Sequence, residues 1–384
     1  MWKRVFLAGA IGALVLSGAP ASGEQTEIAL EDVLAGKPLG VGDLPFEPVE
    51  TTDILALSDE MRRFLHQHVN PGATDVFKLQ QLIDAIMGTT TFGLEYDEVT
   101  RTAAETFRLQ RGNCLAFSTM FVALARGAGL AADFQEVDIP PDWSMGKDVF
   151  ILNRHVNVSV SLGAAGVHVV DFNIGDFKST YEIETVSDRR AVAHFYNNLG
   201  VERMQADRVS DAVGYFRLAI REGDGAFSPA WTNLGSLYRR AGLFDYAEAA
   251  FLEALKADKR DEVAMSNLVA VYTKMGNEDK AEVFRKKVRE HRMRNPFYRY
   301  RLAREAFFTR DYDTAIDHLK FATRKQRNEH EFSFLLGLCY LMKGNEREAR
   351  QWMVKAEKLA ESGEEKERYS TKIETLRLAT DKVN

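Results

Sequence analysis

The rhythm of hydrophobic and polar positions changes twice along the chain. From residue 58 to about 130 the apolar residues fall at helical spacing. Met61, Phe64, Leu65 and Val69 share one face after the polar start Ser58-Asp59-Glu60, and Asn70-Pro71-Gly72 ends that helix. A second helix is predicted from about Thr74 to Met87, stopped by Gly88, and a short one from Thr102 to Gln110, with Phe92–Tyr96 extended between them. The strongest helical pattern runs from Cys114 to Ala128, with Gly127 and Gly129 marking its end. The period then shortens. Asp133–Ile139, Val149–Val160 and Val167–Phe172 are β-like runs, and the turn-rich segment from Pro140 to Lys147 separates the first two. Helices followed by consecutive strands predict an α+β domain with an antiparallel sheet.

After about residue 190 the pattern is helical again, and it repeats. Leu199, Leu234, Leu268, Leu302 and Leu336 are spaced 35, 34, 34 and 34 apart, and Ala212, Ala247, Ala281, Ala315 and Ala349 keep the same spacings. Tyr238, Tyr272 and Tyr340 recur in register, as do Gly242, Gly276 and Gly344. This resembles tetratricopeptide repeats, with their period of about 34 residues and their Leu-Gly-x-x-Tyr, Ala and Phe positions. The resemblance covers about 192–360 and implies an all-α solenoid of about five units, which would bind a protein or peptide along its concave face. Unit three carries Val269 in place of the glycine. Unit four departs most, with Ala303 for the glycine and Arg310 at the turn.

Composition narrows the class. The chain has 384 residues, 45% hydrophobic and 28% charged, which suits two or three soluble domains. The net charge of −6, without a long basic stretch, argues against nucleic acid as a partner. Lys3 and Arg4, the apolar run Val5–Leu16 and the small residues Ala19-Pro20-Ala21 read as an export signal over 1–21. The apolar run falls short of the roughly 20 residues needed to span a bilayer. The expectation is a periplasmic or secreted protein without stable membrane insertion after cleavage; an uncleaved signal anchor is the alternative. Loss of Lys3 and Arg4 leaves 48 basic against 56 acidic residues, a mature charge of −8. Residues 22–50 read as an extended linker or arm, 51–190 as the α+β domain, 191–360 as the repeats and 361–384 as a charged tail that forms a capping helix.

Two cysteines are present. Cys339, between Leu338 and Tyr340 in a repeat helix, reads as a small buried hydrophobe. Cys114 follows Arg111-Gly112-Asn113 at a helix start, where backbone N–H groups and the helix dipole favour a thiolate and can hold an oxyanion. His155 lies 41 residues on, within a β-run, and Asp171 a further 16, at the end of the next. A nucleophilic thiol needs this set: sulfur attacks, imidazole carries the proton, and carboxylate orients the imidazole.

The stretch from about 75 to 175 resembles the transglutaminase-like family, a branch of the papain-like cysteine enzymes. The resemblance rests on Gly112-x-Cys114, the amphipathic helix ending at Gly129-Leu130, His155 and Asp171, and it assigns nucleophile, base and orienting acid in that order. It departs at Asn157 and Ser159, where members often carry Trp and Glu. His168 is a competing base, but alternation places it on the opposite strand face from Asp171. Asp176 is a weaker candidate acid, Trp143 a candidate lid aromatic, and Gln110 and Asn113 candidate oxyanion donors. His66 and His68 do not share a helix face, and neither a Cys pair, a His-Glu-x-x-His run nor a Gly-rich phosphate loop occurs, so no metal or cofactor is expected. The resemblance implies an exported cysteine peptidase or transglutaminase-like amidase or acyltransferase that cleaves or transfers amide bonds, hydrolysis being favoured. A catalytically idle domain on a periplasmic repeat scaffold is the alternative.

Overall fold

The computed structural model describes residues 28–41, 53–88, 92–138, 155–172 and 181–360, together with Gly363, Lys366, Glu367, Tyr369 and Ser370. In chain order the first part carries α1 (Leu30–Ala35), α2 (Asp59–His68), α3 (Asp75–Met87), β1 (Glu95–Tyr96), α4 (Ala103–Leu109), β2 (Arg111–Gly112) and α5 (Cys114–Gly127). Then come β3 (Ala131–Asp138), β4 (His155–Ser161), β5 (Val167–Val170) and β6 (Glu182–Val186). The helix starts are capped as their sequences predict. Ser58 accepts from the Met61 N–H at 3.2 Å, and Thr102 and Glu105 form a reciprocal capping box at α4.

The main sheet is antiparallel, in the order β5-β4-β3-β6. The edge strand β6 escapes the sequence reading because its five residues include two glutamates and little apolar signal. The expected run Val149–Val160 is seen from His155 onward; its earlier residues lie outside the described ones. Helix α5 is the centre of this domain. Every side chain from Leu115 to Ala125 is buried, so it has no solvent face and only a weak amphipathic signature.

Five antiparallel helix pairs follow: α6 (Asp188–Gln205) with α7 (Val209–Glu222), α8 (Ser228–Arg240) with α9 (Phe244–Ala257), α10 (Glu262–Lys274) with α11 (Glu278–Arg294), α12 (Pro296–Phe308) with α13 (Tyr312–Lys325), and α14 (His330–Met342) with α15 (Glu346–Leu359). The recurring glycine has a steric cause. A Cβ on Gly200 would sit 2.5 Å from the Phe216 ring, and one on Gly235 would sit 2.7 Å from Phe251. Unit four departs in packing as well as in sequence. One hydrophobic core runs from the first domain to Val288, and a separate one begins at Ala303.

The arm differs from the extended expectation. Its described part forms α1 and a short 3-10 turn, Lys37–Leu39, docked on the repeats. Val33 is fully buried, and its carbonyl accepts from the Tyr238 hydroxyl at 2.6 Å. At the other end, Tyr369 is buried against Phe334 of the last pair, ring centroids 4.3 Å apart.

Helix α6 joins the two parts. Buried Glu136 on β3 accepts from Arg190 and is 2.8 Å from His194 Nε2, both on α6. Arg126 at the end of α5 bonds Asp188 at 2.6 and 2.9 Å.

Candidate active site

Register decides which side chains can meet. In the β4–β5 ladder Val158 faces Val170 and Ser159 faces Val169. One residue past the ladder, Asp171 continues on the face of Ser159, Asn157 and His155, since strand side chains alternate. The opposite face, with Phe134, Val156, Val158, Val160 and Val170, is buried, and Phe172 carries it onto α5. Asp171 is pinned by its neighbour: the Phe172 ring lies 5.3 Å from Phe117 and 6.0 Å from Phe121, both on α5.

The structure brings together Cys114, His155 and Asp171. His155 Nε2 is 2.7 Å from Asp171 Oδ2, with both side chains 6% exposed. The same oxygen accepts from Asn157 Nδ2 at 3.0 Å. The other partner of the imidazole is the half-buried Cys114. Burial alone would lower the His155 pKa; hydrogen bonds and charge from Asp171 and then Cys114 outweigh it and lift the pKa to about 9. The ring is therefore an imidazolium at neutral pH, held between carboxylate and sulfur.

Cys114 is the first residue of α5. Asn113 is the N-cap: its Oδ1 accepts from the Ala116 N–H at 2.9 Å, and its Nδ2 donates to Thr100 Oγ1 at 2.8 Å. The N–H groups of Cys114 and Leu115 have no intrahelical acceptor and open beside the sulfur, which is where a developing oxyanion would sit. Gly112 allows this close entry. A Cβ there would be 2.7 Å from the Ala116 Cβ. At the far end of the site Ser118 Oγ donates to the Val156 carbonyl at 2.9 Å and fixes α5 to β4.

The expected oxyanion donors fare differently. Asn113 caps the helix through Oδ1 and gives one Nδ2 hydrogen to Thr100, so it positions the helix start. Gln110 is exposed, in the left-handed region at φ 55°, and closes α4. His168 is exposed and on the far face of the sheet. Trp143 and Asp176 lie outside the described residues. Among the described residues no group of three His, Cys, Asp or Glu side chains could hold a metal ion, and no helix is long and apolar enough to cross a membrane. Cys339 is fully buried, and burial pushes its thiol up to about 12.

Three contributors were not legible in the sequence. Asn157 stands where the resemblance expects Trp, and it donates to the Asp171 carboxylate. Tyr96, 66% exposed on β1 opposite Gly112, has its phenol raised by partial burial and then by charge at Cys114, which puts it beside the sulfur. Thr100 is buried under the cap. Neither Tyr96 nor Thr100 carries a local motif; only the fold brings them to the cysteine.

Comparison with known proteins agrees with this layout. Residues 62–168 match the transglutaminase-like superfamily. Residues 228–261 and 300–364 match tetratricopeptide repeats. A stretch of 77 residues is 32% identical to the tetratricopeptide repeat domain-containing protein PYG7, chloroplastic, of Arabidopsis thaliana, covering 20% of this chain and 25% of that protein. The chain thus spans about a quarter of the length of that relative. Among solved structures, YrrB, described as a TPR protein with an unusual peptide-binding site, matches at 16% identity with a TM-score of 0.24, covering 46% of this chain and 90% of that one. MamA from Desulfovibrio magneticus RS-1 matches at 17% identity and TM-score 0.25, covering 45% and 96%. The pairing of these two modules suggests a protein-interaction scaffold. The chain joins a transglutaminase-like domain at 62–168 to tetratricopeptide repeats within 228–364.

Proposed function

We propose that this protein is an exported thiol enzyme that cleaves or transfers amide bonds of a peptide or protein, with Cys114 as nucleophile, His155 as proton carrier and Asp171 as orienting acid. The observation that carries the reading is the buried imidazole held 2.7 Å from Asp171 and within interaction range of Cys114. A cation and a helix N-terminus beside a sulfur are the surroundings in which thiols react as thiolates. The sulfur attacks the amide carbon, and the oxyanion is held by the first-turn N–H groups. His155 gives its proton to the nitrogen as the C–N bond breaks, leaving a thioester. Neutral His155 then takes a proton from water, or from an amine, as that nucleophile attacks the thioester and frees the sulfur. Water gives hydrolysis, the favoured outcome; an amine gives transamidation.

The repeats would hold a protein or peptide partner or the substrate. Export rests on the signal-like residues 1–21 and is tested by fractionating cells that express the tagged chain. The competing reading is a scaffold with an idle thiol, favoured by Asn157 and Ser159 in place of the expected Trp and Glu.

The test is the iodoacetamide alkylation rate of Cys114 in the full chain, with Cys339 as internal comparison. An assembled pair gives fast modification of Cys114 that His155→Ala slows at least about tenfold, the order of effect of a positioned acid–base group. Equal rates with and without the histidine would refute the catalytic reading and leave the scaffold. Incubation with a glutamine- and lysine-containing peptide library then separates cleavage, ammonia release and cross-linking.

A further inference from the structure

The cap of the nucleophile helix is tied to the repeats. Glu202 on α6 accepts from the backbone N–H of Thr100 at 2.8 Å. Thr100 Oγ1 in turn accepts from Asn113 Nδ2 at 2.8 Å, and Asn113 Oδ1 accepts from the Ala116 N–H at 2.9 Å. Three consecutive hydrogen bonds thus lead from the first repeat helix to the first turn of α5, whose first residue is Cys114. Thr100 is only 5% exposed, so its N–H needs a protein acceptor, and an unsatisfied buried donor costs more than an average hydrogen bond contributes. The rest of the Thr100 loop is held locally. Arg101 pairs with Asp97 at 2.7 and 2.9 Å and donates to the Arg111 carbonyl at 3.2 Å. Those bonds fix the loop to β1 and β2, whereas Glu202 fixes it to α6.

We infer that Glu202 is a positioning residue for the Cys114 thiol, acting through Thr100 and Asn113, so that the first repeat is a working part of the thiol site. This rests on the reading of Cys114 as a nucleophile. Asn113 can present the first-turn N–H groups correctly only while its amide is held in one orientation. The Thr100 hydroxyl sets that orientation by accepting from Nδ2, and Glu202 sets where Thr100 sits. Without Glu202 the Thr100 N–H turns to find another acceptor, and the cap loses its second anchor. Glutamine keeps an acceptor oxygen at the same reach, so the link depends on the oxygen rather than on its charge.

The test uses the full chain and iodoacetamide, comparing wild type, His155→Ala, Glu202→Ala, Glu202→Gln, Thr100→Val and the Glu202→Ala/Thr100→Val double variant, with folding checked by circular dichroism. Expected are a rate about three- to tenfold lower in Glu202→Ala and in Thr100→Val, the scale of one buried hydrogen bond. Glu202→Gln should stay within about twofold of wild type. The double variant should be no slower than the slower single one, since both cut the same chain of bonds. A merely structural Glu202 would lower stability without this pattern of rescue and non-additivity. Thr100→Val or Glu202→Ala at the wild-type rate, or additive effects in the double variant, overturns the inference while the His155-dependent rate stands. If Glu202→Ala does not fold, Glu202→Leu takes its place, and Thr100→Val alone still decides. Loss of the His155 dependence itself overturns the nucleophile reading instead.

Discussion

Replacing Asp171 by Asn isolates what the carboxylate does. The side chain keeps its size and one acceptor oxygen, so the hydrogen bonds from His155 Nε2 and Asn157 Nδ2 can persist, but the charge is gone. In the native protein burial pulls the His155 pKa down, and Asp171, followed by Cys114, takes it from 6.5 to about 9. At 1.36 kcal/mol per pKa unit this rise amounts to about 3 kcal/mol in favour of the imidazolium. With the charge of Asp171 removed and burial and Cys114 unchanged, His155 in Asp171→Asn should titrate below its native value of about 9. The assay is a histidine side-chain NMR titration of the full chain, with His155→Ala assigning the resonance among the eight histidines. A second readout is thermodynamic. A folded-state pKa above the unfolded one contributes stability that is fully present below pH 6.5 and is lost as pH rises through about 9. The wild-type unfolding free energy should therefore fall by about 3 kcal/mol across that window from this residue, and the fall should shrink in Asp171→Asn. Alkylation of Cys114 at pH 7 should slow with it. A His155 that still titrates near 9 in Asp171→Asn would refute the argument, because it would place the cation's stabilisation elsewhere.

Three further outcomes follow from the same geometry. Glu136→Ala should cost about 3–5 kcal/mol in urea unfolding, since it strands Arg190 and His194 at a buried junction; burial would raise the Glu136 pKa, but His194 and Arg190 hold it far below the carboxylate range, so this stabilisation is present above about pH 4.5 and is lost in acid. Gly112→Ala, which forces a Cβ to 2.7 Å from that of Ala116, should cost about 1–3 kcal/mol and slow Cys114 alkylation as β2 moves off the helix start. Cys339, fully buried with its thiol pushed up to about 12, should resist iodoacetamide until denaturant unfolds its repeat; modification in the native state would mean that the fourth and fifth pairs open readily.

How far the site could be read from sequence depends on the range of each interaction. Local signals were legible: the Ser58 and Thr102 caps, the glycine past the end of α5, and the 34-residue spacing that comes from a repeated helix pair. The grouping of Cys114, His155 and Asp171 came from their order along the chain and the family resemblance; alternation assigns only the strand faces, and the ladder between Ser159 and Val169 keeps that assignment. Asn157 could be placed on the His155 face, but its bond to Asp171 could not, since that depends on which strand lies beside β4. Strand β6 was hidden by its charges and the arm helix α1 by its shortness. Thr100, Tyr96 and Glu202 gave no signal. They are 14, 18 and 88 positions from Cys114 in the chain, and only tertiary packing makes them neighbours.

Helix α6 changes what the word domain means for this chain. By pattern it is the first helix of the repeats, yet it is bonded to the sheet at Glu136 on β3. Its residues Asp188, Arg190 and His194 bond α5 and β3, and Glu202 reaches the loop beneath the nucleophile cap. Cutting before it would take Arg190 and His194 from buried Glu136 and Glu202 from the Thr100 N–H. A fragment ending near residue 187 should therefore aggregate or stay partly unfolded, whereas one that keeps α6 and α7 retains these bonds. A free-standing, soluble and cooperatively folding fragment of residues 51–187, judged by gel filtration and thermal unfolding, would show that the junction is dispensable. The same helix that opens the repeats thus holds β3, the end of α5 and the Thr100 loop together, so the boundary of the folding unit lies beyond the boundary of the sequence pattern.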